Sequence, residues 1–266
     1  MTRHIKEVTE AVYQELVSKA QYWDLDSWRK PLEKTMKTIK NACNGDIITI
    51  SSKDAYSEAS MLATIAVEMA KTGKKVLYFC NMDGEETALS RMLAIEGLVP
   101  LLRIIEGGLT AEEWKRLAQA AISLNGLDIY FAPKQAVGKD IPEIVEEIGA
   151  VDFIVIENVK SSFRRDVFTE PCVIEAKKIA NKTGSVFVCG TNGLWGGDER
   201  LKCSNKVLTI WQDDNPESEN PNLCRLEWED RFRNMQRKEE FNAIWLYDFG
   251  YFRDIDRENF GSETNE

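Results

Sequence analysis

A chain of 266 residues with 43% hydrophobic content is long enough for one large domain or two small ones around a sizeable core. Its formal charge of -10 argues against broad, non-specific coating of nucleic acid, and leaves only a local basic groove open to that function. The six cysteines show no metal spacing, His4 is the only histidine, no run nears the roughly 18 apolar residues of a membrane span, and the N-terminal MTRHIKEVTE has no apolar secretory region. Metal, histidine acid–base and membrane-spanning classes therefore drop out, and a reduced, cytoplasmic protein is expected.

In chain order, residues from about Thr2 to Lys19 read as an amphipathic helix, because Ile5, Val8, Val12, Leu16 and Ala20 recur at spacings of three and four. That stripe must be covered, either by its own domain or by a neighbouring subunit. The stretch from Tyr22 to Asn44, punctuated by Pro31, reads as a linker and a short helix. Apolar strand runs follow at Ile47–Ile50, Val76–Phe79, Ile129–Phe131, Phe153–Ile156, Val186–Cys189 and Val207–Trp211. Helical stretches fall between them near Glu58–Lys71, Glu85–Glu96, Ala111–Leu124, Ile141–Ile148 and Pro171–Lys182. Near-continuous apolar strands alternating with helices imply a mostly parallel central sheet with helices on both faces. After Lys206 the runs CRLEWEDRFRN and AIWLYDFGYFRDI read as antiparallel edge strands, with an acidic loop ahead of them. The division expected is an N-terminal linker-like helix over 1–31, one α/β domain over 32–257, and a disordered tail over 258–266.

The strand–loop–helix that opens at Gly45 has the layout of an ATP-binding loop, where G-x-x-x-x-G-K-[ST] is expected. The chain has Ser57-Glu58-Ala59 there, and no Gly-Lys-Ser or Gly-Lys-Thr anywhere. The sequence resembles the C-terminal motor domain of DnaB-type replicative helicases, a RecA-like fold of the P-loop NTPase type, over roughly Leu32 to Ile255. GDIITIS is similar to the family's opening strand, NMDGEETALSRMLA to the acidic loop and helix after the second strand, and VDFIVIEN to the Walker B strand. RIIEGGLTAEEWKRLAQA is the most specific stretch, keeping the family's pattern at Arg103, Ile104, Gly107, Leu109, Glu113 and Trp114.

The resemblance places Ser57, Glu58 and Ala59 where the family has its glycine, its phosphate-binding lysine and its magnesium-binding Ser/Thr. Asn81 stands in place of the glutamate that polarises the attacking water, Glu157 matches the Walker B aspartate, and Thr191 replaces the sensor glutamine. A lysine about 4 Å from a phosphate charge gains about 4 kcal/mol at an effective dielectric near 20. Glutamate reverses that sign, and Ala59 removes a magnesium ligand. The resemblance thus implies a frame without its catalytic set, with no cofactor expected and ATP with magnesium required only if the pocket works through substituted residues. Arg231 and Arg233 fit the spacing of the family's basic trans finger, and equally the solvated face of an edge strand. Lys160, Arg164 and Arg165 fall where the family has a channel loop for DNA, and equally suit an ordinary exposed loop. Trp114 reads as a core or helix-packing residue. The function expected is a catalytically inactive DnaB-like protein that acts in DNA replication by contacting a protein partner, either a replicative helicase subunit or itself. The alternatives are a working ATP-dependent helicase motor and a single-stranded-DNA-binding module.

Overall fold

The computed structural model describes residues 32–80, 84–133, 136, 140–157, 170–191, 204–212, 222–231 and 237–255. The N-terminal helix, the C-terminal tail, Asn81, Lys160, Arg164, Arg165 and Arg233 lie outside the described residues.

The elements run α1 (Glu33–Lys40), β1 (Ile47–Ser52), α2 (Ala55–Lys71), β2 (Val76–Phe79), α3 (Glu85–Gly97), α4 (Leu101–Glu106), α5 (Ala111–Asn125), β3 (Ile129–Phe131), α6 (Ile141–Ile148), β4 (Phe153–Ile156), α7 (Glu170–Thr183), β5 (Val186–Gly190), β6 (Lys206–Gln212), β7 (Leu223–Asp230), β8 (Arg237–Leu246) and β9 (Tyr251–Asp254). The strands form a nine-stranded sheet ordered β3-β2-β4-β5-β1-β6-β7-β8-β9. Pairing is parallel from β3 to β6 and antiparallel from β6 to β9. The expected mostly parallel sheet with antiparallel strands at one edge is therefore present.

Strands β1, β2, β4 and β5 are buried at every position. Their Ile, Val and Phe content suits a pleated surface covered on both sides. One face packs Ile47, Leu77, Ile154, Ile156 and Phe187 against Ile141 of α6 and Ala176, Ile179 and Ala180 of α7. The other face meets α2, which contacts β1, β2, β4, β5 and β9. This helix is buried nearly all round because α3 covers its far side and α5 packs on α3. Fully burying one Leu, Ile or Met contributes about 1.5–3 kcal/mol, so Met61, Leu62, Ile65 and Met69, all fully buried, make α2 the central apolar rod of the domain.

Three local expectations are corrected. Helix α2 starts at Ala55 rather than Glu58, so Ser57-Glu58-Ala59 lie in its first turns and not in a loop. Strand β7 is not an edge, because β8 pairs along its whole length. The odd-numbered face of β7 is accordingly closed progressively: Arg225 is exposed, Glu227 half-buried and Glu229 buried. Trp114 is 60% exposed and is not a core residue. Helix α4 carries no periodic signal in the sequence; it is one short segment after Pro100, ended by Gly107, whose φ of 85° only glycine adopts cheaply.

Candidate functional site

In open α/β sheets, the crevice outside the carboxyl ends of the strands at a reversal of strand order is where ligands bind. Here the chain leaves β1 toward β2 on one side, and later leaves β5 for β6 on the other. The ends of β1, β4 and β5 bring Ser52, Glu157 and Gly190-Thr191 to that crevice, with the first turn of α2 beside them.

The connection from β1 to α2 is only Lys53 and Asp54. Asp54 is the N-cap of α2: its Oδ1 accepts from the Tyr56 N–H at 3.1 Å and its Oδ2 from the Ser57 N–H at 2.9 Å. The Ser57 hydroxyl donates to the Asp54 carbonyl at 2.9 Å, and the Ser52 and Ser57 hydroxyls share a hydrogen bond of 2.7 Å. The N-terminal N–H groups that draw anions to helix starts are thus engaged by a carboxylate of the chain. Asp in front of an apolar helical run is an N-cap signal, and it is the residue that sequence reasoning passed over.

Glu58 is 1% exposed, in the interior. The Thr191 hydroxyl donates to its Oε2 at 2.9 Å, so two positions matched separately to the lysine and the sensor are joined directly. Gly190 makes the approach feasible: a Cβ there would come within 2.5 Å of Glu58 Oε1 and 2.9 Å of Leu62 Cδ1, and would also strike the Glu157 carbonyl. The Glu157 carboxylate, also 1% exposed, has one oxygen, Oε1, that receives the Tyr78 hydroxyl and Arg91 Nη1, each at 3.1 Å. Arg91, from α3, is itself 3% exposed. Neither Tyr78 nor Arg91 carried a functional signal in the sequence, because their meaning depends on where α3 packs. Burial first, and then the charge of Glu157, push the Tyr78 phenol well above its ordinary range and the Cys80 thiol upward, so neither group ionises readily.

Ala59 is buried and brings no hydroxyl. Arg231 has its guanidinium on Glu229 of its own chain at 2.8 Å, and its backbone N–H donates to the Asn205 carbonyl at 2.9 Å. Beside the crevice, a shallow cleft lies along the ends of β1 and β6, lined by Ser52, Lys53, Thr209 and Trp211 among others. The Arg225 guanidinium sits 5.3 Å from the Trp211 ring centre. Away from the crevice, Arg103 and Glu113 of the most specific stretch meet at 2.7 Å. Glu113 also closes a capping box with Thr110 at the start of α5. Among the described residues no group of His, Cys, Asp and Glu is placed to hold a metal ion, and no helix is long and apolar enough to cross a membrane.

Sheet order, crevice and strand-end carboxylate define a RecA-like α/β domain. Residues 30–159 match the family model described as the DnaB-like helicase C terminal domain. Over 86 residues, 32% of this chain, the sequence is 31% identical to the Replicative DNA helicase DnaC of Bacillus subtilis (strain 168), and the match spans 19% of that protein. Among solved structures, one described as an ATPase domain has a TM-score of 0.70 at 12% identity, covering 96% of this chain and 100% of that one. "The Structure Of A DnaB-Like Replicative Helicase And Its Interactions With Primase" also gives 0.70, at 11% identity, covering 96% of this chain and 68% of that one. The domain is a DnaB-type C-terminal domain.

Proposed function

We propose that this DnaB-type domain does not use nucleotide and acts in DNA replication through protein contacts, as an accessory, loader or modulator of a replicative helicase. The observation that carries the reading is the crevice itself. The N–H groups at the start of α2 are held by Asp54, Glu58 is buried where a phosphate-binding lysine belongs, and Glu157 is engaged by Arg91 and Tyr78. Magnesium–ATP has no cation to meet its phosphates at position 58 and no hydroxyl ligand at position 59. A partner surface is supported by exposed apolar side chains on the flank: Leu89 on α3, Leu102 and Ile105 on α4, Trp114 and Ile122 on α5. A solved relative is described together with its interactions with primase, which supports a protein partner for a domain of this type.

Calorimetric titration of the full chain with magnesium–ATP is the direct test. No heat of binding at millimolar nucleotide is expected. A micromolar Kd overturns this reading and favours the working helicase motor.

A further inference from the structure

Resting on that reading, we infer that Asp54 is a built-in anion: its carboxylate occupies the phosphate position at the start of α2 and keeps the crevice shut independently of Ser57, Glu58 and Ala59. A G-x-x-x-x-G-K-[ST] loop needs about eight residues whose N–H groups turn toward a phosphate. Between the end of β1 and the start of α2 this chain has two. The residues that would form the loop have instead wound into the first turn of the helix. Both Asp54 oxygens are used, at 3.1 and 2.9 Å, on N–H groups that a helix start offers to an anion. The closure is tied at three further points: the Asp54 N–H donates to Ser52 Oγ at 3.2 Å, Ser57 Oγ donates to the Asp54 carbonyl at 2.9 Å, and the Ser52 and Ser57 hydroxyls meet at 2.7 Å. One turn further along α2, the Thr191–Glu58 bond at 2.9 Å joins the helix directly to the end of β5. The two carboxylates act at different places, so reversing one leaves the other in force.

The test compares two variants of the full chain. The first, Ser57→Gly with Glu58→Lys and Ala59→Thr, restores the phosphate contacts and keeps Asp54. The second adds Asp54→Ala. Both are titrated with magnesium–ATP after circular dichroism has confirmed folding. The first is expected to stay silent, and the second to bind at least tenfold more tightly than the first. Binding by the first variant as tight as by the second overturns the inference, and so does a folded second variant that ignores ATP. Nucleotide binding by the unaltered chain is a different result, because it defeats the proposed function. If the second variant does not fold, Asp54→Ala alone decides by hydrogen exchange. The Tyr56 and Ser57 amides should exchange at least tenfold faster while those of Leu62 and Ile65 are unchanged. Unaltered exchange at Tyr56 and Ser57 overturns the inference.

Discussion

Burial decides the meaning of Arg91 and Glu157. Both side chains are removed from water and paired at 3.1 Å, with the Tyr78 hydroxyl completing the coordination of one oxygen. Removing one member of such a pair leaves an uncompensated interior charge, at about 3–5 kcal/mol. Arg91→Met is therefore expected to cost about that much in urea unfolding. Arg91→Met with Glu157→Met should recover a large part of it, because the stranded charge is gone. If the double variant is as unstable as the single one, the pair does not carry this energy. A carboxylate after an apolar strand was visible in the sequence as a Walker B match; its partners were not, since they lie 66 and 79 residues away.

Helix α5 shows how one element is set by its first turn. Thr110 and Glu113 cap each other, and Arg103 from α4 adds an ion pair at 2.7 Å. The Thr110 backbone N–H, then its hydroxyl and the Arg103 charge, hold the Glu113 carboxyl below the usual carboxylate range against the opposing effect of burial. A carboxyl whose folded pKa is depressed stabilises the fold above its unfolded value, about 4.3, and loses that contribution as pH falls through the folded pKa. Thermal melts of Glu113→Gln should therefore lie below the parent at pH 7. The gap should close as pH falls below about 4. A gap that persists unchanged at pH 2 would show that Glu113 acts through packing rather than charge. The same helix exposes Trp114 and Ile122, which its periodicity could not forecast, because an apolar stripe does not say whether a partner covers it.

At the scale of the molecule, the N-terminal stripe of Ile5, Val8, Val12 and Leu16 and the apolar flank of α3, α4 and α5 are the two features suited to assembly. Each large apolar side chain buried at a contact contributes about 1.5–3 kcal/mol, enough for four of them to hold chains together. Val12→Asp with Leu16→Asp is expected to reduce the assembled mass in light scattering while circular dichroism stays unchanged. A variant that keeps its assembly, or that unfolds, places this helix in its own core.

The sequence by itself determined the architecture: the order of strands and helices, the parallel sheet, the antiparallel edge and the DnaB-type pattern. Apolar periodicity and strand composition report burial directly, so these features are local properties of the chain. It also located the altered positions Ser57, Glu58, Ala59, Glu157 and Thr191. Tertiary structure alone decided what those residues do. It wound α2 from Ala55 rather than Glu58, set Asp54 on the Tyr56 and Ser57 amides, drew Thr191 onto Glu58 through the missing Cβ of Gly190, and turned Arg91 and Tyr78 onto Glu157. Those contacts span up to 133 residues, and a hydrogen bond or ion pair depends on ångström-scale distances that only the folding of separate elements against one sheet establishes.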